Sequence, residues 1–322
     1  MPILDMPLHR LKEYQGRNPR PSDMDAFWDV SVAEMEALGT NCELLPASFQ
    51  VPGMGCYDMY FTGVGGARIH ARVIIPDKPG PLPAICHFHG CPKMAPEFSA
   101  LMHWAAAGFV VAAMDCRGQG GQSEDVGAVK GNTYHGHIIR GAFEGDPAKL
   151  LYRHIFLDAA QLARIVMALP QVDAKKVGAV GASQGGGLTL ACAALTPSLN
   201  RAAATYPYLC DYRRVWEMDL DKDAYAELRT YFRQFDPLHE REEDFFTLLG
   251  YIDIQHLAHR IHSKVIWFIG QMDPLCPPST QFAAYNKLTC EKQMFVYPDY
   301  KHEPLPGAGD KTIQFMLEML EG

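Results

Sequence analysis

Ser183 sits in Lys176-Val-Gly-Ala-Val-Gly181-Ala-Ser183-Gln-Gly185-Gly-Gly187, a G-x-S-x-G pattern between an apolar β-type run and an apolar helical run. A serine on so sharp a strand-to-helix turn projects its Oγ away from the backbone, and the flanking glycines let strand and helix approach closely. Such a serine can attack an acyl carbonyl if a base takes its proton. The competing reading of the pentapeptide is a tight structural turn. Thirteen histidines are present, and His302 stands out because it follows the last β-type run. Asp273 follows Ile266-Trp-Phe-Ile-Gly270 and could orient the imidazole; Asp253 and Asp299 follow no core strand in a suitable place. A tetrahedral oxyanion needs preorganised donors. The backbone N–H of Gln184 and that of Cys91, just after Phe88-His89-Gly90, are the candidates.

These residues need a frame, and the pattern supplies one. Ile69 to Ile75 alternates as an early antiparallel strand would. Pro83 to His89, Phe109 to Met114, Lys176 to Val180, Ala202 to Tyr206, Lys264 to Ile269 and Gln293 to Tyr297 continue the series. Helical patterns fall between them at Phe98 to Ala107, Tyr152 to Leu169, Gly187 to Leu195, Ser279 to Lys287 and Lys311 to Leu320. This alternation predicts an α/β protein with a mostly parallel, doubly wound sheet. The chain order Ser183, Asp273, His302 is that of the α/β-hydrolase fold. One domain over 1–322 is expected. About the first 60 residues are read as an arm, helical and extended, that precedes the sheet, with room in it for an antiparallel hairpin. A helical, aromatic-rich insertion at about 207–260 is too long for an ordinary connection and reads as a cap or an assembly surface, with surface decoration as the bland alternative.

The 322 residues are 48% hydrophobic and 20% charged, enough for a large core, with a formal charge of −8. Lys and Arg form no basic stripe, so no nucleic-acid partner is expected. No run of about 18 apolar residues occurs, so no membrane span is expected. The first 20 residues carry several charges and no apolar signal core, which with nine unpatterned cysteines suggests a cytoplasmic protein with reduced thiols. No C-x-x-C pair appears, and His87 with His89, or Tyr134-His135-Gly-His137, finds no third ligand. No metal and no cofactor are expected. Glu303 beside His302 reads as structural or tuning, and Pro207, Tyr208 and Leu275 are candidates for lining an acyl pocket, with ordinary packing as the alternative.

Three motifs in order, Arg117-Gly-Gln119-Gly-Gly121, Gly181-Ala-Ser-Gln-Gly185 and His302-Glu303, resemble the signatures of carbohydrate esterase family 7. That family comprises the acetyl xylan esterases and cephalosporin C deacetylases. His137-Ile-Ile-Arg-Gly141, Tyr152 to Asp158 and Asp273-Pro-Leu-Cys-Pro-Pro-Ser-Thr280 extend the likeness over nearly the whole chain. The resemblance implies a cytoplasmic, metal-independent serine deacetylase acting with water on small acetylated xylo-oligosaccharides and cephalosporin C. It also implies a homo-hexamer, a trimer of dimers with active sites facing an inner chamber. The family usually has Tyr after the His-Gly of the oxyanion loop, where this chain has Cys91 and Pro92. Arg117 and Gln119 read as scaffolding. The same triad could instead serve another ester, a thioester or a peptide, or the fold could be kept by a non-catalytic binding protein.

Overall fold

Val110–Met114 is apolar throughout, and every residue in it is buried, as a strand covered on both faces must be. It is one of nine strands in a single sheet in the computed structural model, which describes residues 4–131 and 136–320. The strands are β1 (Cys42–Pro46), β2 (Met54–Thr62), β3 (Arg68–Pro76), β4 (Leu82–Phe88), β5 (Val110–Met114), β6 (Val172–Ala182), β7 (Arg201–Thr205), β8 (Lys264–Gly270) and β9 (Lys292–Tyr297). Their order across the sheet is β1-β2-β3-β5-β4-β6-β7-β8-β9. The pairs β1–β2, β2–β3 and β3–β5 are antiparallel. From β5 through β4 to β9 every pair is parallel. The first 60 residues therefore do not all precede the sheet, because Cys42 to Thr62 forms its outer hairpin.

Side chains alternate between two cores, as the two-residue period of a strand requires. Ala84, Cys86, Phe88, Val110, Ala112 and Met114 face one core, and Ile85, Val111 and Ala113 face the other. The helices are α1 (Leu8–Leu11), α2 (Met24–Glu36), α3 (Phe98–Ala106), α4 (Leu151–Ala168), α5 (Gln184–Leu195), α6 (Tyr212–Glu217), α7 (Ala226–Phe235), α8 (Glu242–Gly250), α9 (Ile254–Leu257), α10 (Pro278–Tyr285) and α11 (Ala308–Leu317). Helices α2, α4, α5 and α10 fill the first core, and α3 and α11 the second. Among the described residues no helix is long and apolar enough to cross a membrane.

Helix α5 is buried on every side, which fits a sequence with no polar face. Helices α6 to α9 lie between β7 and β8. Their aromatic side chains pack on one another, Tyr231 against Phe245 at 3.8 Å and Tyr208 against Tyr225 at 4.5 Å between ring centroids. The N-terminal segment is tied to this region by polar contacts. Tyr14 donates to Asp211 at 2.8 Å, Asn18 to the Phe246 carbonyl at 3.0 Å and the Trp28 indole to the Tyr251 carbonyl at 2.9 Å.

Candidate active site

The sheet presents the carboxyl ends of its parallel strands on one edge, and Ser183 stands there between β6 and α5. Its backbone has φ 58° and ψ −122°, a conformation that a side-chain-bearing residue keeps only when its surroundings enforce it. They do so through the main chain. Ser183 N–H donates to the Thr205 carbonyl at 2.9 Å, and the Ser183 carbonyl accepts from Gly187 and Tyr208 at 3.1 and 3.0 Å. A Cβ on Gly181 would overlap the Gly185 carbonyl, and one on Gly185 would overlap that of Phe88. Only glycine fits at either place.

Asp273 leaves β8 fully buried, and its Oδ1 accepts from the N–H groups of Leu275 and Cys276 at 2.8 and 2.9 Å. Its Oδ2 lies 2.7 Å from His302 Nδ1. A carboxylate can only accept, so in the neutral imidazole this contact selects the tautomer with the proton on Nδ1 and a lone pair on Nε2. The loop bearing His302 is fastened to the loop bearing Asp273. Gln271 N–H donates to the Tyr297 carbonyl and Met272 N–H to that of Tyr300, both at 2.9 Å. The Tyr206 ring lies 4.4 Å from the imidazole, centroid to centroid, and covers one side of it.

Gln184 is wholly buried, and its side chain is held as firmly as its backbone. Its Oε1 accepts from Gln119 at 2.6 Å and from the Tyr152 hydroxyl at 2.7 Å, while its Nε2 donates to Gln119 Oε1 at 3.0 Å. Arg117 forms a bidentate pair with Asp158 at 2.7 and 2.6 Å, both groups buried, and also donates to the Val64 carbonyl. Burial pushes the Asp158 carboxyl up, while the guanidinium opposes this. The Arg117-Gly-Gln119 motif thus anchors one loop to α4 and reaches the elbow through Gln119.

Cys91 and Leu275 both line a cavity of about 530 Å³, together with Gly118, His137, Leu151 and Glu227. Burial raises the Cys91 thiol to about 11. Glu227, on α7, is raised to about 7 by burial, although it accepts from the N–H groups of His137 and Ile139. Pro207 and Tyr208 lie elsewhere. Pro207 packs against Gly186, and Tyr208 is buried with its hydroxyl on the Ala224 carbonyl at 2.5 Å. Neither borders that cavity.

His89 is satisfied by main chain, with Gly90 O at 2.9 Å from Nδ1 and Cys116 N–H donating to Nε2 at 3.1 Å. His87 is lowered to about 4 by burial. His137 Nε2 meets the Gly118 carbonyl at 2.8 Å, and Tyr134 and His135 lie outside the described residues. Glu303 accepts from Lys301 N–H at 3.0 Å and so braces its own loop. A set the histidine spacing did not suggest is Asp273, Cys276 and His302, whose donor atoms all lie within 4.8 Å of one another. Sequence reasoning also missed Tyr206 over the imidazole and Gln119 and Tyr152 on Gln184. A β-strand end and two motif residues were the available signals, and none specifies a partner.

Comparisons with known proteins identify the family. The family described as acetyl xylan esterase (AXE1) matches residues 1–319. Acetyl xylan esterase 1 from Thermoanaerobacterium sp. JW/SL YS485 superimposes with a TM-score of 0.96 at 54% identity, covering 98% of this chain and 99% of that one. The acetyl xylan esterase from Paenibacillus sp. R4 does so at 0.92 and 32% identity, over 97% and 99%. Acetyl esterase Axe7A of Xylanibacter ruminicola is 24% identical over 293 residues, which are 88% of this chain and 63% of that protein. The chain thus spans less than two thirds of that curated relative. An acylaminoacyl peptidase from Pyrococcus horikoshii shares the fold alone, with a TM-score of 0.57 at 15% identity. On the full-length family match and these near-complete superpositions, the chain belongs to the acetyl xylan esterases, a family of carboxylic ester hydrolases on the α/β-hydrolase fold.

Proposed function

We propose that this protein removes acetyl groups from small acetylated xylo-oligosaccharides by a Ser183-His302-Asp273 acyl-enzyme mechanism, with water as the second substrate. The observation that carries the reading is the buried Asp273 carboxylate 2.7 Å from His302 Nδ1, on the sheet edge where Ser183 holds its strained turn. His302 Nε2 takes the serine proton as Oγ attacks the acetyl carbonyl carbon. The N–H groups of Gln184 and Cys91 hold the oxyanion, where preorganised donors act most strongly. The sugar alcohol departs with the proton from His302. Water then gives its proton to the same nitrogen, attacks the acetyl-serine and releases acetate.

The named activity of the two superimposed esterases supports the acetyl ester as substrate. In this reading Leu275, two residues after Asp273, limits the acyl side, and cephalosporin C is a further small acetyl ester within it. The protein works as a cytoplasmic homo-hexamer, a trimer of dimers. Parallel assays on acetylated xylo-oligosaccharides, cephalosporin C and p-nitrophenyl esters of rising chain length test the proposal. A packed acetyl pocket predicts a sharp fall in kcat/KM beyond about four carbons. Equal rates on long acyl chains, or no release of acetate from the oligosaccharides, overturn it. A monomeric mass by light scattering overturns the assembly.

A further inference from the structure

We propose that Asp273, Cys276 and His302 form a binding site for a thiophilic divalent cation, with zinc as the reference ion, and that its occupancy reversibly switches the esterase off. The inference of inhibition rests on the reading of His302 as the base; the binding itself does not. The three residues offer a carboxylate oxygen, a sulfur and an imidazole nitrogen within 4.8 Å of one another, the donor types of tetrahedral zinc sites. In such sites donors stand about 3.3 to 3.8 Å apart, given bond lengths of about 2.0 to 2.3 Å. Closing the site therefore needs movements on the order of an ångström.

The frame for such closure is present. Asp273 and Cys276 belong to one short loop, and the Cys276 N–H already donates to Asp273 Oδ1 at 2.9 Å. His302 comes from the neighbouring loop, which the 2.9 Å bonds from Gln271 and Met272 hold in place. Asp273 and Cys276 are buried, and His302 keeps 17% of its side chain exposed, which leaves an approach for an ion. Ser183 lies beside the thiol, so its hydroxyl or a water can complete four ligands.

Charge favours zinc as well. Binding forms one Zn–S bond and breaks one S–H bond, and the proton goes to solvent: Cys–SH + Zn²⁺ gives Cys–S–Zn⁺ + H⁺. With the Asp273 carboxylate the assembly is then neutral, the arrangement a dry pocket tolerates best. Magnesium and calcium prefer six or more oxygen donors and find one carboxylate here. Loss of activity follows whichever ring nitrogen binds. A metal on Nε2 consumes the lone pair that accepts the serine proton. A metal on Nδ1 displaces the bond to Asp273 and leaves the remaining proton on Nε2.

The test uses the full chain, freed of metal with EDTA, as wild type, Cys276→Ser and Cys276→Ala. Each variant's hydrolysis of p-nitrophenyl acetate is compared with and without zinc, so that a change in basal rate cancels. Wild type should lose activity about tenfold when free zinc reaches about ten times its Kd. EDTA should restore it, and magnesium should have no effect. Both variants should show a ratio near one. Binding is read separately with cadmium, whose thiolate charge-transfer absorption should rise with one equivalent in wild type and in Ser183→Ala and be lost in both Cys276 variants. Equal zinc inhibition with and without Cys276, or an identical cadmium signal in all variants, overturns the site. Full turnover by Ser183→Ala alongside normal cadmium binding would overturn the esterase mechanism and leave the site standing.

Discussion

The nucleophile half of the site and the acid–base half are held by different physics. Around Ser183 the constraint is steric, because strand, turn and helix meet where no Cβ fits on Gly181 or Gly185. Around His302 the constraint is a chain of hydrogen bonds, from the Leu275 and Cys276 N–H groups through Asp273 to the imidazole. Steric closeness writes itself into local sequence, since only glycine satisfies it. A hydrogen-bonded arrangement joins residues 29 positions apart and leaves only an order of residues along the chain. The difference also predicts how each half fails: a methyl added at the glycines of the first removes the fold, and a broken hydrogen bond in the second removes chemistry from an intact fold.

Gly185→Ala should break the first half outright. The new methyl meets the Phe88 carbonyl, a backbone atom in the middle of the sheet, and overpacking of that kind is not relieved by a rotamer change. Little soluble protein with a cooperative melt should be recovered; a normal melt would show that the steric account is wrong. Ser183→Ala should leave circular dichroism unchanged and lower kcat on p-nitrophenyl acetate by about 10⁴ or more.

Asp273→Asn should also fold, with kcat down by roughly a thousandfold or more, because the amide invites the wrong imidazole tautomer. A tenfold effect would mean that the backbone alone holds His302 in place. Gln119→Leu takes two hydrogen bonds from the Gln184 amide and should cost roughly 2 kcal/mol in urea unfolding.

A further effect, visible only as a dependence on pH, concerns Glu227. Its acid is raised from 4.5 to about 7 in the fold by burial. Below the unfolded value both states are protonated and nothing is lost. As pH rises from about 4.5 to 7 the unfolded chain releases its proton first, so this group's contribution to stability declines and then levels off. Glu227→Gln should therefore gain Tm relative to wild type between pH 5 and pH 8; a constant difference would contradict the shift.

The strands and helices of the parallel half are legible because they are apolar runs or faces of the right period, several of them closed by Gly or Pro, as at Gly108, Pro170 and Gly270. A hairpin in the N-terminal arm is within reach of the sequence, but its membership of the sheet is not, since β1 is half exposed and has no buried run to announce it. Pro207 and Tyr208 read from the sequence as candidates for the acyl pocket, with ordinary packing as the alternative. The chain uses them to pack the elbow helix and the aromatic insertion. Tyr206, one residue earlier, is the side chain that covers His302. A one-residue change of register at a strand end reverses the direction of a side chain, and periodicity does not resolve it. Gln119 and Tyr152 on Gln184, like Cys276 beside His302, depend on loops meeting in space, which no local pattern encodes.

The claim on which the account depends is that Ser183 is the nucleophile activated by His302. Treatment with an organophosphate, followed by peptide mass spectrometry, tests it most directly. The account predicts loss of activity in step with one phosphoryl adduct on Ser183, and strong suppression of that adduct in Asp273→Asn. Full inactivation with the adduct elsewhere, or an unlabelled Ser183 in inactivated protein, would contradict it.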